Sequence, residues 1–306
     1  MILARADGKI SVGVIVAFIQ LMRNIIQLAI TMPELIARVK AAKSLMRRHD
    51  ELLESSQPVG QDVAVSCKRE IALDHVTASY GGAEPALKDF SYAFRAHGCY
   101  AILGESGSGK TTLLNLLTGF HRQYNGDIRY DDVVIRDVSN ESLCQIMSVI
   151  DQDVFIFDAT IAENISMFHP YSDAALQNAA RKAGLSALIE QKGWDYRCGE
   201  NGNQLSGGEK QRIALARSIL QGTDVLFFDE VTSALDAKTG YQIMETIQNM
   251  TEKTRIVITH DIYPDLMDSF DAVLVLKDGQ LAEAGTFTDL MAKQSVCCHL
   301  VNKSIS

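Results

Sequence analysis

The sequence predicts an α/β fold with a parallel core sheet, and two patterns lead to this expectation. An apolar run, CYAIL at 99–103, passes into a glycine-rich stretch, GESGSGKTT at 104–112, and then into helix-forming residues up to 120. A second apolar run, VLFFDE at 225–230, ends in two acidic residues. Parallel sheets bring such strand ends together along one edge, where ligands bind. With 306 residues, 47% of them hydrophobic, the chain can enclose the core that this fold needs.

The glycine-rich stretch fits the phosphate-binding pattern G-x-x-x-x-G-K-[ST]. Its glycines allow a tight loop whose backbone N–H groups, together with a helix N-terminus, point at phosphate oxygens. Lys110 adds a full positive charge, and the Thr111 hydroxyl can bind Mg²⁺. An ordinary glycine-rich turn is the alternative, and the flanking strand and helix disfavour it. The candidate phosphate-binding residues are Gly104, Glu105, Ser106, Gly107, Ser108, Gly109, Lys110, Thr111 and Thr112.

The acidic pair Asp229 and Glu230 ends the second apolar run, so a parallel sheet would place it beside the phosphate loop. Two adjacent acids at this position suggest two tasks. Asp229 would hold Mg²⁺ through water, and Glu230 would orient and polarise an attacking water as a catalytic residue. The alternative is a strand that ends in a solvated acidic turn, which this run alone does not exclude.

A third motif, LSGGEKQR at 205–212, lies between the phosphate loop and the acidic strand. With this motif in this order, the sequence resembles the ATP-binding cassette (ABC) ATPases over roughly residues 69–295. The resemblance implies a P-loop NTPase cassette, with a parallel core sheet, an antiparallel β subdomain and a helical subdomain. It also implies ATP and Mg²⁺ as cofactors.

Single positions match the same family. Gln152, in SVIDQDVFIF, resembles the glutamine that contacts Mg²⁺ and responds to the membrane domain. His260, after the apolar run IVIT, resembles the histidine that contacts the γ-phosphate, and with Lys110 and Glu230 it makes up the expected catalytic set. Tyr80 resembles the aromatic residue that stacks on adenine.

The resemblance implies that the cassette works as half of a pair. In the family, two cassettes close head to tail, and Ser206, Gly207 and Gly208 of one complete the ATP site of the other, while Asp236 links the two sites. The sequence contains one set of these motifs and no internal repeat, so we expect the second cassette from another chain, in a homodimer or a heterodimer. The net charge of −9 argues against nucleic acid as a partner.

Residues 10–32 are mostly apolar and have about the length of a membrane-spanning helix, which takes around 20 residues. Their polar exceptions recur at helical spacing and would form one stripe, as in a helix that lines a pathway. We expect contact with the lipid bilayer here, and the segment resembles the last transmembrane helix of ABC exporters. An amphipathic helix on protein or at the membrane surface is the alternative, and a signal peptide is disfavoured because no cleavage site follows. The polar positions are Gln20, Arg23, Asn24, Gln27 and Thr31.

We predict three parts: a partial membrane domain at 1–53 that forms a long N-terminal α-helix, a linker at 54–66, and an ABC ATP-binding domain at 67–306. Basic residues between 38 and 48 favour the cytoplasmic side of a membrane. We therefore expect a cell-membrane protein whose ATPase domain lies in the cytoplasm and contacts membrane-domain helices. Exporters of this type have six such helices before each cassette, and one is expected here. Glu200, in CGENGNQ, resembles the residue that meets the membrane domain.

These features together predict an ATP-hydrolysing subunit of an ABC exporter, which couples cassette pairing to export of a substrate. Two alternatives stay open: a soluble ABC ATPase with mechanical or regulatory work, and a truncated chain that binds ATP and pairs but transports nothing by itself. The six cysteines show no C-x-x-C spacing, so neither a zinc site nor a disulfide framework is predicted. The motifs do not identify the cargo.

Overall fold

The computed structural model describes residues 13, 15–27, 32, 40, 43, 60–81, 84–293 and 296–305. The chain divides into two compact units, Met1–Pro58 and Val59–Ser306. The strands and the labelled helices below belong to the second unit. The boundaries predicted for the linker and the ATP-binding domain stay predictions.

The elements of the second unit alternate between strands and helices. The strands are β1 (Glu70–Ala78), β2 (Leu87–Arg95), β3 (Cys99–Leu103), β4 (Tyr124–Tyr130), β5 (Val133–Val134), β6 (Met147–Ile150), β7 (Val225–Asp229), β8 (Thr254–Ile258), β9 (Ala272–Lys277) and β10 (Gln280–Gly285). The helices are α1 (Lys110–Leu117), α2 (Asn140–Ile146), α3 (Ile161–Ser166), α4 (Asp173–Lys182), α5 (Ser186–Lys192), α6 (Gly207–Gln221), α7 (Ala237–Gln248), α8 (Pro264–Met267), α9 (Phe287–Ala292) and α10 (Val296–Ile305). Short 3₁₀ helices occur at Ile135–Asp137 and Glu200–Gly202.

A six-stranded sheet in the order β10-β9-β3-β8-β7-β6 forms the centre of this unit. The strands from β9 to β6 run parallel, and β10 pairs antiparallel with β9. Every residue of β3 and β8 is buried, because layers cover both faces of the sheet. A second sheet, β2-β1-β4-β5, is antiparallel. The predicted α/β architecture with a parallel core sheet is confirmed.

The parallel sheet separates two hydrophobic cores, because successive side chains of a strand point to opposite faces. Along β3, Cys99, Ala101 and Leu103 belong to one core, and Tyr100 and Ile102 belong to the other. The first core includes side chains of α3, α6 and α7, and the second includes side chains of α1 and the antiparallel sheet.

The register of the parallel strands determines where the polar residues lie. Asp229, the last residue of β7, pairs with Ile258 of β8, and Ile258 pairs with Ile102 of β3. The loops after these three strands therefore leave the same edge of the sheet. These loops begin at Gly104, Glu230 and Thr259, so the phosphate loop, the acidic pair and the segment containing His260 meet there.

In the first unit, residues 15–27 are helical and exposed. Among the residues that the structure describes, no helix combines the length and the apolar character needed to cross a bilayer. The predicted membrane segment at 10–32 is covered only in part, since residues 10–12, 14 and 28–31 lie outside the described residues. Most of the predicted basic stretch between 38 and 48 also lies outside them.

Candidate functional site

The phosphate loop joins β3 to α1, and glycines give it its shape. Gly107 and Gly109 have φ angles of 80° and 103°, a left-handed conformation that glycine adopts at no steric cost. A Cβ atom at Gly109 would also lie only 2.7 Å from the carbonyl oxygen of Ala86. Gly107 is therefore favoured by its φ angle, and Gly109 by its φ angle and by the lack of room for a side chain.

Lys110 begins α1, and its side chain is held by the loop that precedes it. Nζ donates hydrogen bonds to the carbonyl oxygens of Gly104, at 2.8 Å, and Glu105, at 3.0 Å. Burial lowers the pKa of Lys110, while the carboxylates of Glu230 and Asp229 act in the opposite direction. The ammonium group thus lies between carbonyl dipoles and two acids, where an incoming phosphate can reach it.

A pocket of about 290 Å³ lies against this loop and gathers residues that are far apart in the sequence. The residues that line it are Ala86, Ser106, Gly107, Gly109, Lys110, Thr111, Thr112, Glu230 and His260. All except Ala86 were predicted from sequence. Two other predicted loop residues, Glu105 and Ser108, line a separate pocket of about 300 Å³ together with Ser106 and Gly107.

Glu230 and His260 contact each other across the strand ends. His260 Nε2 lies 2.9 Å from Glu230 Oε1. Glu230 adopts a φ of 50°, and its backbone is fixed by an N–H bond to the carbonyl oxygen of Ile258 at 2.9 Å. The Ser233 hydroxyl donates to the Glu230 carbonyl oxygen at 2.8 Å. A carboxylate and an imidazole held in this way can orient a water molecule and stabilise charge near the phosphate loop.

Thr111 and Asp229 share a larger pocket of about 690 Å³. Burial raises the pKa of Asp229, and the neighbouring Glu230 carboxylate raises it further. A cation beside Asp229 would relieve both effects. A hydroxyl and a carboxylate are hard oxygen ligands that suit Mg²⁺, which commonly binds one or two carboxylates together with substrate phosphates and water. Among the described residues, no group of three or more His, Cys, Asp and Glu side chains could hold a metal alone.

Gln152, the third predicted magnesium ligand, does not line the pocket that Thr111 and Asp229 share. It lines a pocket of about 490 Å³ instead. Its backbone is fastened by Gln211, whose Nε2 donates to the carbonyl oxygens of Gln152, at 2.8 Å, and Asp151, at 3.2 Å. The role of Gln211 in fastening this loop was not predicted from the sequence, although the residue belongs to LSGGEKQR. Only the fold brings it next to a loop about 60 residues away.

The signature motif opens α6 at a distance from the chain's own phosphate pocket. Ser206 caps the helix by accepting a hydrogen bond from the Glu209 N–H, and the Glu209 carboxylate accepts one from the Ser206 N–H at 2.7 Å. Gly207 lines the same pocket as Gln152, and Gly208 is buried against Thr239. The three signature residues are absent from the lining of the phosphate pocket.

Tyr80, Asp236 and Glu200 are among the predicted residues that lie outside these pockets. Tyr80 follows β1 and is 47% exposed, so its ring is open to a ligand. Asp236 caps α7 by accepting a hydrogen bond from the Thr239 N–H at 3.0 Å. The predicted membrane-domain contact, Glu200, is exposed at the start of a 3₁₀ helix.

Comparisons with known proteins show which family this chain resembles. The ABC transporter family model matches residues 87–233. The chain is 39% identical over 239 residues to the mitochondrial iron-sulfur clusters transporter atm1 of Aspergillus fumigatus, a match that covers 76% of this chain and 33% of that protein. It is 37% identical over 254 residues to the ATP-dependent lipid A-core flippase of Sodalis glossinidius, with 81% and 43% covered.

A solved structure described as a bacterial Atm1-family ABC exporter with ATP bound superposes with a TM-score of 0.75 at 30% identity. The alignment covers 87% of this chain and 48% of that one. The chain thus spans between a third and a half of the length of these relatives.

Proposed function

Because the chain carries the ATPase domain of the ABC transporter family, folded as an ABC cassette of the exporter type, we propose that it hydrolyses ATP to drive export of a substrate across a membrane. The observation that carries this proposal is the pocket of about 290 Å³ in which Lys110, Glu230 and His260 meet the phosphate loop. One pocket thereby contains a cation for the phosphates, a carboxylate that can activate water and an imidazole that can contact the γ-phosphate.

In this proposal ATP binds with its phosphates along residues 104–112 and its adenine against Tyr80. Backbone N–H groups of the loop and the N-terminus of α1 supply partial positive charge, and Lys110 supplies a full one. Thr111 and Asp229 would hold Mg²⁺, which would neutralise phosphate charge when bound. Gln152, which lines a neighbouring pocket, would be a further ligand of the metal.

Hydrolysis then depends mainly on position and charge. Glu230 orients a water molecule for in-line attack on the γ-phosphorus and accepts its proton, while ADP leaves. His260 contacts the γ-phosphate, and its 2.9 Å contact with Glu230 fixes the spacing between the two side chains. Lys110 stabilises charge on the transferring group.

A second cassette completes the site. Ser206, Gly207 and Gly208 lie away from the phosphate loop of their own chain, and we propose that they close over ATP bound to a partner, as a homodimer or a heterodimer. Asp236, at the start of α7, would communicate between the two sites. Pairing would move membrane-domain helices at the cell membrane, with the cassette on the cytoplasmic side and residues 10–32 at the bilayer.

Glu230→Gln tests the proposed chemistry. The amide cannot accept the proton, so we expect phosphate release to fall at least about 100-fold, the scale of a lost general base. Equilibrium binding of ATP should stay within about threefold, because the phosphate loop is intact.

The matched control is Glu245→Gln, which changes an exposed carboxylate on α7 and should leave both measurements unchanged. Turnover of Glu230→Gln within about twofold of the unmodified chain would exclude Glu230 as the base.

A further inference from the structure

The ring of Tyr80 packs against the ring of His121. Their centroids lie 4.5 Å apart, and the ring planes are tilted by 40°. Tyr80 is nevertheless 47% exposed, so His121 supports part of the ring while the rest stays accessible. Within the described part of the chain, His121 Nε2 is buried and has no hydrogen-bond partner. Among the described residues, the imidazole therefore contacts Tyr80 through its ring and makes no hydrogen bond at Nε2.

His121 is held firmly by the end of the phosphate-loop helix. α1 stops at Leu117, Gly119 turns the chain with a φ of 75°, and the His121 N–H donates back to the carbonyl oxygen of Asn115 at 2.9 Å. The next residue, Arg122, donates to two carbonyl oxygens of the segment after β5, at 2.8 and 2.7 Å. The backbone of His121 is thus fixed to the end of the helix that begins at Lys110.

Tyr80, by contrast, lies in a loop whose two ends are joined by a backbone hydrogen bond. The Ala86 N–H donates to the carbonyl oxygen of Ala78 at 2.8 Å, which brings the two ends of the loop together. Gly81, the next residue, has a φ of 63°. The ring of a tyrosine in such a loop keeps one direction when a neighbouring side chain packs against it. His121 is that neighbour.

We infer that His121 is a positioning residue for the nucleotide base: it backs Tyr80, so that adenine stacks on a ring of fixed orientation. This inference rests on the proposed binding of ATP. The contact also ties the base platform to the phosphate loop through α1, whose eight residues span about 12 Å. The contact therefore connects the adenine-stacking ring to the helix that begins at the phosphate loop.

Two substitutions of similar volume test the inference, His121→Phe and His121→Leu. Phenylalanine keeps a ring against Tyr80, whereas leucine fills the space without one. We expect His121→Leu to weaken binding of Mg-ATP about 3- to 10-fold, the scale of an aromatic pair, and to raise KM with kcat unchanged. His121→Phe should bind like the unmodified chain. Mg-tripolyphosphate, which has no base, should bind all three proteins equally in the same calorimetric titration.

His169→Leu, at an exposed histidine, is the control and should change neither ligand. Equal behaviour of the Leu and Phe variants, or an equal loss of Mg-ATP and Mg-tripolyphosphate, would overturn the inference. Lys110→Ala must weaken both ligands if the proposed phosphate site is right. If it does so while His121→Leu changes nothing, the inference fails and the proposed function stands; if the unmodified chain binds neither ligand, both fail.

Discussion

Asp229 illustrates a conflict between stability and function at a single residue. Burial raises its pKa, and the adjacent Glu230 carboxylate adds to the rise, so the folded chain disfavours the charged form. The unfolded chain ionises at the ordinary pKa of 3.8. As pH rises from that value through the raised pKa of the folded state, the unfolded state loses its proton first, and stability falls. Above the raised pKa both states are ionised, and the full destabilisation caused by the buried carboxylate remains.

Asp229→Asn should therefore stabilise the chain in the absence of nucleotide while it abolishes Mg²⁺-dependent turnover. We expect a rise in Tm of about 2 °C at neutral pH, which for a chain of this size corresponds to roughly 0.5–1 kcal/mol. The rise should shrink as the pH is lowered, because the aspartate of the unmodified chain then becomes protonated. Thermal unfolding at several pH values measures it, and Asp195→Asn, an exposed carboxylate, serves as the control. A Tm below that of the unmodified chain at neutral pH would contradict the argument.

At the level of elements, two helices begin in the same way and differ in what they are used for. Ser206 and Glu209 form a capping box at the start of α6, and Thr160 and Glu163 form one at the start of α3. Each satisfies backbone N–H groups that a helix N-terminus leaves without partners. Only the first lies in the signature motif.

Ser206→Ala and Thr160→Ala separate capping from catalysis. Both should lower the free energy of unfolding by about 1 kcal/mol, the usual cost of a lost cap, as measured by denaturant titration. Only Ser206→Ala should lower ATP turnover, by about tenfold or more, because a preorganised donor to the γ-phosphate is lost. Equal effects of the two variants on turnover would mean that Ser206 acts only through its helix.

Some features of this site can be predicted from the sequence, and others cannot. The phosphate loop and the acidic strand end were predictable, because glycine at Gly109 and charge at Lys110 follow from local sterics and chemistry. The position of Glu230 beside the phosphate loop followed from parallel strand order, and the role of His260 followed from the resemblance to the family. The Gln211 bonds to the loop of Gln152, and the packing of His121 on Tyr80, were not predictable. They depend on how separate elements pack in space, and glutamine and histidine carry no local pattern that indicates such contacts.

On the scale of the whole molecule, the phosphate loop and the signature of one chain lie on different pockets. If the two motifs meet only between chains, defects in different motifs should complement each other. Lys110→Ala removes the loop's charge, and Ser206→Arg blocks the signature; each chain alone forms no complete site. A mixed pair has one complete site, built from the loop of the Ser206→Arg chain and the signature of the Lys110→Ala chain.

Mixing the two purified variants in equal amounts should therefore restore ATP hydrolysis. We expect about a quarter of the unmodified rate, since half of randomly formed pairs are mixed and each has one complete site out of two. Phosphate release measured against mixing ratio should peak at equal amounts. A mixture no more active than its components would contradict head-to-tail completion and favour a chain that works alone or with a different partner.

When a nucleotide binds, Lys110 exchanges hydrogen bonds to its own loop for hydrogen bonds to a phosphate. A phosphate replaces two neutral carbonyl acceptors, at 2.8 and 3.0 Å, with a charged acceptor, and only the difference between the two kinds of bond adds to affinity. Product release is the same exchange in reverse, and it returns the ammonium to acceptors already in place. An ATPase that turns over repeatedly must release its product as well as bind its substrate. Because these carbonyl oxygens accept the hydrogen bonds of Lys110 once ADP has left, we expect them to shorten the residence time of ADP.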